Sequence, residues 1–290
     1  MTTTQETLYE NRLSPIDVPR AQPDDWQGIS VTTIIGALDK PALVYWSAEE
    51  TAKAAIRIAG SLPARITEDG EEAVIKYLRD ARFQSIKGRR TANELGTAVH
   101  AACEEYALTG IKPQVDDEVQ PFLDRFDAWL DIWQPVYEAV ETSVYSPKFG
   151  YAGTLDAIMR IDGQLVMADY KTSRESTDKQ GKPKRPYPEV ALQLAAYRHA
   201  EFAATWHPRR TEKFKRRYYL LSDLEQALAD PVPVVDGGIV ISITPDAPTR
   251  AYPVRCDQEV FESFLAVADA FRFVDTIAKS VIGDELIRGH

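Results

Sequence analysis

The chain has 290 residues, of which 44% are hydrophobic and 27% are charged, and its formal net charge is −10. These values exclude a wholly disordered chain, and no stretch approaches the roughly 20 apolar residues that a membrane helix needs. The two cysteines, Cys103 and Cys256, are too few for a disulfide framework or a four-cysteine zinc or iron–sulfur site. Together with a polar N-terminus that lacks a signal-peptide pattern, they favour a cytoplasmic location.

The N-terminal part predicts an extended polar arm over residues 1–28, followed by helical periodicity over 29–59. Gly60, Pro63 and Gly70 predict a loop over 60–70, and a short helix is expected over 71–83. We therefore expect residues 1–87 to form an N-terminal arm and helical region.

Two amphipathic helices are predicted next, over residues 91–109 and 116–134. Thr91 and Glu94 form a capping-box pattern at the start of the first helix, and Gly110 is a suitable C-terminal stop.

The hydrophobic period then changes to that of strands. Strands are predicted over 137–146, 152–161, 164–172, 215–222 and 238–244, a basic loop over 174–186, and helices over 188–206 and 256–280. This order predicts an α/β (α+β) fold in which a central mixed sheet is flanked by helices, with residues 88–290 as its core.

The dipeptide Asp162-Gly163 between two apolar runs is a strong signal for a two-residue hairpin. With that turn, Asp156 lies opposite Asp169 as a non-hydrogen-bonded pair, with Cα atoms about 4.5 Å apart. Lys171 is two residues beyond Asp169 and is expected on the same face.

Two directly opposed carboxylates repel each other in a sheet, so a cation is expected to offset their charge. A divalent metal with a lysine beside it suits phosphodiester hydrolysis, because the metal activates a water and the ammonium stabilises developing negative charge. The alternative is a solvent-exposed hairpin face with screened charges.

Four short motifs stand in a fixed order along the chain. They are Gly96-Thr-Ala-Val-His100, Gly153-Thr-Leu-Asp156, Asp169-Tyr-Lys171 and Gln193-Leu-Ala-Ala-Tyr197. This ordered set resembles the RecB-like branch of the PD-(D/E)XK nuclease superfamily, and is most similar to its stand-alone phage and CRISPR-associated exonucleases.

The resemblance implies a restriction-endonuclease-like core and a site that binds Mg²⁺ or Mn²⁺. The implied metal ligands are His100, Asp156, Asp169 and the backbone of Tyr170. The implied catalytic residues are Lys171, Asp156, Asp169, Gln193 and Tyr197, of which the last two contact DNA or the attacking water. Many relatives carry a four-cysteine iron–sulfur cluster, and the cysteine count predicts that this chain does not.

Each of these residues also has a plainer interpretation from the sequence alone. His100 is off the apolar stripe of its helix and resembles a solvated surface histidine. Gln193 and Tyr197, at i and i+4, often satisfy ordinary hydrogen bonds on such a helix. Tyr170 and Tyr187 either stack on unpaired bases or are structural.

Charge is distributed unevenly along the chain. Residues 171–217 contain 13 lysines and arginines against 5 acidic residues, and the remainder contains 21 against 39. A basic island of this kind is typical of a polyanion-binding surface and is equally compatible with a solvated loop. The candidate DNA-binding residues are Arg174, Lys182, Lys184 and Arg185.

The sequence therefore predicts a metal-dependent DNA nuclease, expected to be an exonuclease, in the cytoplasm of a bacterium or phage-infected host. Two alternatives stay open: a nuclease of the same fold that acts on RNA or branched nucleic acid, and a catalytically silent DNA-binding recombination accessory protein. A homo-oligomer or a recombination partner protein is compatible with the resemblance, and no membrane partner is expected.

Overall fold

A computed structural model describes residues 25–38, 41–80, 90–178, 180–204, 209–213 and 216–283. Of the arm expected over residues 1–28, residues 1–24 lie outside the described part of the chain. The described residues fall into two compact units, one made of the chain up to Ala37 together with Gly96 onward, and one made of Leu38–Leu95.

Ten strands and nine α-helices are present in the described ranges. In chain order they are β1 (Trp26–Ser30), α1 (Val31–Ile35), α2 (Pro41–Ile58), α3 (Leu62–Asp69), α4 (Glu71–Asp80), α5 (Ala92–Thr109), α6 (Gln120–Trp133), β2 (Val136–Ser146), β3 (Tyr151–Ile161), β4 (Gln164–Thr172), α7 (Glu189–Arg198), β5 (Phe202–Ala204), β6 (Arg209–Lys213), β7 (Arg216–Leu221), α8 (Asp223–Leu228), β8 (Asp230–Pro231), β9 (Gly237–Ile243), β10 (Arg250–Val254) and α9 (Gln258–Asp275).

The unit Leu38–Leu95 contains α2, α3 and α4. The loop predicted over 60–70 is wrong, because α3 occupies most of that segment. Pro63 lies in the first turn of α3, where its missing N–H costs nothing, and Gly70 follows the last residue with a φ of 86°. Pro63 and Gly70, two of the three residues that suggested a loop, stand at the two ends of this helix.

The predicted start of α5 is confirmed. The Thr91 N–H donates to Oε2 of Glu94 at 2.7 Å, and the Glu94 N–H donates to Oγ1 of Thr91 at 3.2 Å. Gly110 ends this helix with a φ of 68°. The next helix, α6, begins at Gln120 rather than 116, because the Asp116 carboxylate accepts the N–H groups of Glu118 and Val119 in a preceding turn.

A mixed sheet forms the centre of the larger unit, as the sequence predicts. Its main path runs in the order β10-β9-β4-β3-β1-β7-β6, and β2 pairs with β3 and extends through β5 to β8. β4 is parallel to β9 and antiparallel to β3, so the sheet is mixed, and helices flank it. The α/β (α+β) fold class is confirmed.

Several element boundaries differ from the prediction. Trp26–Ser30 is a strand rather than part of an arm and a helix, and it lies between β3 and β7. The helix predicted over 188–206 ends at Arg198, because Phe202–Ala204 pairs with β2. β6, β8 and β10 carry no strong alternation in the sequence and were not predicted.

The core of the larger unit is rich in aromatic side chains. Tyr170 packs edge-on against Phe126 with ring centroids 5.4 Å apart, and its hydroxyl lies 3.2 Å from that of Tyr137. These contacts join α6, β2 and β4 in the core next to the candidate site. Among the described helices, none combines the length and the apolar character that crossing a membrane would require.

Candidate metal-dependent active site

The β3–β4 hairpin has the predicted turn and register. Asp162 and Gly163 have φ values of 49° and 82°, as a type I′ turn requires, and Ile161 pairs with Gln164. The ladder continues to Ala157 and Ala168, where it ends.

Asp156 and Asp169 therefore come immediately after the last bonded pair, where the strands separate. The prediction that they form a directly opposed pair within the ladder is wrong in this detail. Instead, the Asp156 carboxylate Oδ2 accepts the Tyr170 N–H at 2.6 Å. The Asp156 side chain thus accepts the N–H that the backbone of β3 would otherwise accept, and the β3–β4 ladder ends at this point.

Asp169 is almost fully buried, with 2% of its surface exposed. Its Oδ1 accepts a hydrogen bond from Gln193 Nε2 at 2.8 Å, and its Oδ2 lies 2.5 Å from the Lys171 ammonium. Apart from this ion pair, Oδ2 has no hydrogen-bond partner among the described residues. Lys171 is 42% exposed, so its ammonium connects a buried carboxylate with the protein surface.

Helix α7 brings Gln193 and Tyr197 to the site. Gln193 Nε2 donates both to Asp169 and to the Tyr197 hydroxyl, the latter at 3.2 Å. The Tyr197 ring lies directly against the backbone of Gly153, where a side chain would overlap it. The glycine of the G-x-x-D motif therefore provides room for the tyrosine of the Q-x-x-x-Y motif.

Helix α5 brings His100 to the same place. His100 Nδ1 lies 3.8 Å from Oδ2 of Asp156, and its ring meets the Tyr170 ring edge-on at 6.1 Å. One turn earlier, Gly96 lies close to Oγ1 of Thr172, which would be 3.3 Å from an added Cβ. This close approach at the end of β4 brings His100 near the carboxylates.

Burial dominates the acid–base properties of the site. It raises the pKa of Asp156 to about 6, against the opposing effects of Lys171 and the Tyr170 N–H. It also raises the pKa of Asp169 to about 6, although the Lys171 ammonium opposes this shift. Burial lowers the pKa of His100, so its imidazole is neutral at pH 7 and retains a free lone pair.

The donor set is chemically suited to a hard divalent cation. Carboxylate oxygens favour Mg²⁺ and Mn²⁺, and a neutral imidazole suits Mn²⁺ in particular. Among the described residues, the buried Asp169 Oδ2 is paired only with the half-exposed Lys171 ammonium. Within the described ranges, no three histidine, cysteine, aspartate or glutamate side chains are grouped closely enough to enclose a metal ion. Lys171 and the Tyr170 N–H instead occupy the inward-facing oxygens of the two carboxylates.

The side chain of Tyr170 is not available to stack on bases. It is 2% exposed and packs against Phe126 and Tyr137, so of the two interpretations the structural one is confirmed. Its backbone, by contrast, lies at the site between Asp169 and Lys171. Tyr187 is 61% exposed, on the segment that leads into α7.

The four candidate DNA-binding residues differ in their surroundings. Arg174 pairs with Glu118 at 2.7 Å, which neutralises its charge. Lys184 Nζ donates to Ser173 Oγ at 3.1 Å, whereas Lys182 and Arg185 are exposed. The sequence grouped these four residues as DNA-binding candidates. In the structure Arg174 differs from the other three because it is paired with an acidic side chain.

For one acidic residue near the site, Glu104, the sequence leaves two interpretations: a group that supports a metal ion, or a solvated glutamate, which is the commoner case. Glu104 follows His100 by one turn of α5, and its negative charge raises the pKa of Asp156 and of His100. The i, i+4 spacing places Glu104 and His100 on the same face of α5.

Comparison with known proteins adds no family assignment. A scan against protein-family models found no match to this chain, and a search of curated proteins found none either.

Proposed function

We propose that the protein is a metal-dependent nuclease that hydrolyses phosphodiester bonds in DNA, acting from strand ends as an exonuclease. One observation carries the proposal. The buried carboxylate of Asp169, the partly buried carboxylate of Asp156, a lysine ammonium and a neutral imidazole, from α5, β3 and β4, converge where the β3–β4 ladder ends. Acids with raised pKa values beside a cation are typical of functional sites and are suited to phosphodiester hydrolysis, and a purely structural ion pair needs neither the histidine nor the second carboxylate.

In this proposal His100, Asp156, Asp169 and the backbone carbonyl of Tyr170 hold Mg²⁺ or Mn²⁺. When bound, the ion supplies Lewis acidity that polarises a phosphoryl oxygen and lowers the pKa of a bound water.

The protein's own groups have separate roles. The Lys171 ammonium orients the attacking water and stabilises negative charge as it develops on the phosphate. Gln193 holds Oδ1 of Asp169 through its amide, and the Tyr170 N–H holds Oδ2 of Asp156, so both carboxylates keep fixed orientations. Tyr197 holds Gln193 in turn.

The test is cleavage of end-labelled linear single- and double-stranded DNA beside a closed circle, with Mn²⁺, Mg²⁺ or EDTA. The wild type is compared with Lys171→Ala and with Lys148→Ala, an exposed lysine in the β2–β3 turn that serves as a matched control. We expect metal-dependent loss of linear DNA with the circle intact, no activity for Lys171→Ala, and normal activity for Lys148→Ala.

Other outcomes would redirect the proposal. A nicked circle would mean endonuclease action. Cleavage of RNA or of a branched junction, with linear DNA intact, would assign the same chemistry to a different substrate. Mn²⁺ binding and DNA binding without cleavage of any substrate would favour a DNA-binding accessory protein.

A further inference from the structure

An open cavity of about 830 Å³ lies between the basic loop that follows β4 and the edge strand β10. Its lining includes four cationic and two aromatic side chains: Lys182, Lys184, Arg185, Arg250, Tyr187 and Tyr252. The strand β10, which lines one side of the cavity, was not predicted from the sequence, so Arg250 and Tyr252 were not among the candidate residues.

The charge of this cavity is opposite to that of the chain as a whole. Among its lining residues only Asp178 is acidic, and Oδ1 of Asp178 accepts the N–H groups of Gln180 and Lys182 at 2.9 Å, which fixes the turn of the loop. The side chains of Lys182, Arg185 and Arg250 make no hydrogen bond or ion pair with any residue in the described ranges. Cations that have no partner in the described part of the chain, on a concave surface of a protein with a net charge of −10, indicate an anionic ligand.

The two tyrosines restrict the kind of anion. Tyr187 is 61% exposed, and Tyr252 is half-buried among the cations. An exposed aromatic ring beside phosphate-binding cations suits a nucleic-acid base, which can stack on it whatever its identity. A duplex hides the faces of its bases, so only an unpaired strand can use these rings.

The strand register connects the cavity with the candidate active site. Lys171 pairs with Ser242 on β9, which pairs with Arg250, and Asp169 is linked through Val240 to Tyr252 in the same way. Two strand spacings are about 10 Å, and directly opposed residues share a face of the sheet. Lys184 adds a direct connection by donating to Ser173, two residues beyond Lys171.

We propose that this cavity binds an unpaired nucleic-acid strand and directs it towards Asp156 and Asp169. The four cations hold backbone phosphates, and Tyr187 and Tyr252 stack on bases. One part of the inference rests on the proposed function: the bound strand would then be cleaved at the adjacent carboxylates. Binding itself needs neither a metal ion nor cleavage, so the two proposals can fail separately.

The test is fluorescence anisotropy of a labelled 12-nucleotide oligothymidine with the full chain in EDTA, compared with a 12-base-pair duplex. We expect the single strand to bind at least 10-fold more tightly than the duplex. Arg250→Glu should weaken binding at least 10-fold and reduce the salt dependence. Tyr187→Leu should weaken binding about 5- to 100-fold with an unchanged salt dependence.

Arg272→Glu is the matched control, because it makes the same charge change at an exposed position of α9 that does not line the cavity. It should alter the affinity less than twofold. No binding of the single strand, equal binding of the duplex, or equal effects of Arg250→Glu and Arg272→Glu would each overturn the inference. So would displacement of the probe by polyglutamate with no effect of Tyr187→Leu, which would indicate an acidic protein surface as the ligand.

The outcomes also separate this inference from the proposed function. Metal-dependent cleavage by a protein that fails to bind the oligothymidine would overturn the strand site and leave the nuclease proposal intact. Tight binding sensitive to Arg250→Glu and Tyr187→Leu, without cleavage of any substrate, would support the strand site and contradict the nuclease proposal.

Discussion

A Cβ atom on Gly153 would overlap Cε1 of Tyr197 and lie 3.0 Å from its Cζ and hydroxyl oxygen. The contact joins two motifs that are separated by 44 positions in the chain, and it explains why a residue without a side chain stands in β3 at this point. Because Tyr197 is buried and accepts a hydrogen bond from Gln193, the position of its ring determines where the Gln193 amide lies.

Gly153→Ala should destabilise the protein by about 1–3 kcal/mol, because a buried ring must move to make room. It should also lower cleavage, since displacement of Tyr197 moves the Gln193 amide away from Asp169. Urea unfolding measures the first effect. Gly237→Ala, at a position with open space around it, is the control and should change the unfolding free energy by less than about 0.5 kcal/mol. Full stability and full activity of Gly153→Ala would show that the ring moves freely.

Asp156→Asn should make the metal-free protein more stable at pH 8. Burial raises the pKa of this carboxyl from 3.8 to about 6, so proton binding favours the folded state. The resulting stabilisation is complete below about pH 3.8 and is lost as the pH rises through about 6. An asparagine oxygen still accepts the Tyr170 N–H without the charge, and the expected gain at pH 8 is about 1–3 kcal/mol.

Thermal melts in EDTA at pH 5 and pH 8 test this prediction. The advantage of Asp156→Asn over the wild type should be larger at pH 8 than at pH 5. Asp162→Asn makes the same chemical change in the exposed hairpin turn and should give the same small difference at both values. A loss of stability in Asp156→Asn at pH 8 would mean that the ionised carboxylate is favourable where it lies.

Lys171→Ala should separate metal binding from cleavage. Its ammonium lies 2.5 Å from Asp169 Oδ2, so its removal frees a carboxylate oxygen for a metal ion and should leave Mn²⁺ affinity equal or higher. Cleavage should fall about 100-fold or more, because the group that stabilises developing charge is lost. Titration calorimetry with Mn²⁺ measures the first effect. Weaker Mn²⁺ binding in this variant would argue that Lys171 orders the carboxylates instead of competing for them.

Gln193→Ala should impair cleavage more than Tyr197→Phe does. The first change leaves Oδ1 of the buried Asp169 without its donor, which costs about 1–3 kcal/mol. The second removes an acceptor for Gln193 and keeps the ring against Gly153. Single-turnover rates on labelled DNA at fixed Mn²⁺ compare the two. Equal rates for the two variants would contradict the positioning role of Gln193.

Lys182→Glu and Arg174→Ala should affect DNA binding differently. Lys182 is exposed on the basic loop, whereas Arg174 is already neutralised by Glu118. Lys182→Glu should therefore weaken binding and reduce the slope of log affinity against log salt by about 1, with little change in the slope for Arg174→Ala. Equal slopes for the two variants would indicate that the basic loop is solvated and does not contact DNA.

The hairpin was predictable because its information is local. A two-residue Asp-Gly turn fixes the register, and the register places Asp156, Asp169 and Lys171 near one another without any knowledge of the remaining fold. Where the strands separate was not predictable, since it depends on β4 pairing with β9 and on the Asp156 carboxylate taking the Tyr170 N–H.

The elements that the sequence analysis missed depend on partner strands distant in the chain, or contain residues that are compatible with more than one kind of structure. Trp26–Ser30 has little strand character of its own and becomes a strand because β3 and β7 bind it on both edges. β10 contains Pro253, which argues against a central strand and is tolerated at an edge. A glycine inside α5, at Gly96, indicates that another part of the chain approaches the helix one turn before His100. That this neighbour is Thr172, at the end of β4, could not be read from the local sequence.

The position of β1 has a consequence for the order in which the molecule forms. Trp26 pairs with Leu221, nearly 200 residues later in the chain, whereas the β3–β4 hairpin joins neighbours across a two-residue turn. Hairpins close within microseconds, and pairings between distant segments form slowly. During synthesis, β1 emerges from the ribosome long before β7 has been made. The carboxylate-bearing hairpin and the β1–β3 pairing can form once β3 and β4 have been synthesised, whereas the second edge of β1 stays unpaired until β7 follows.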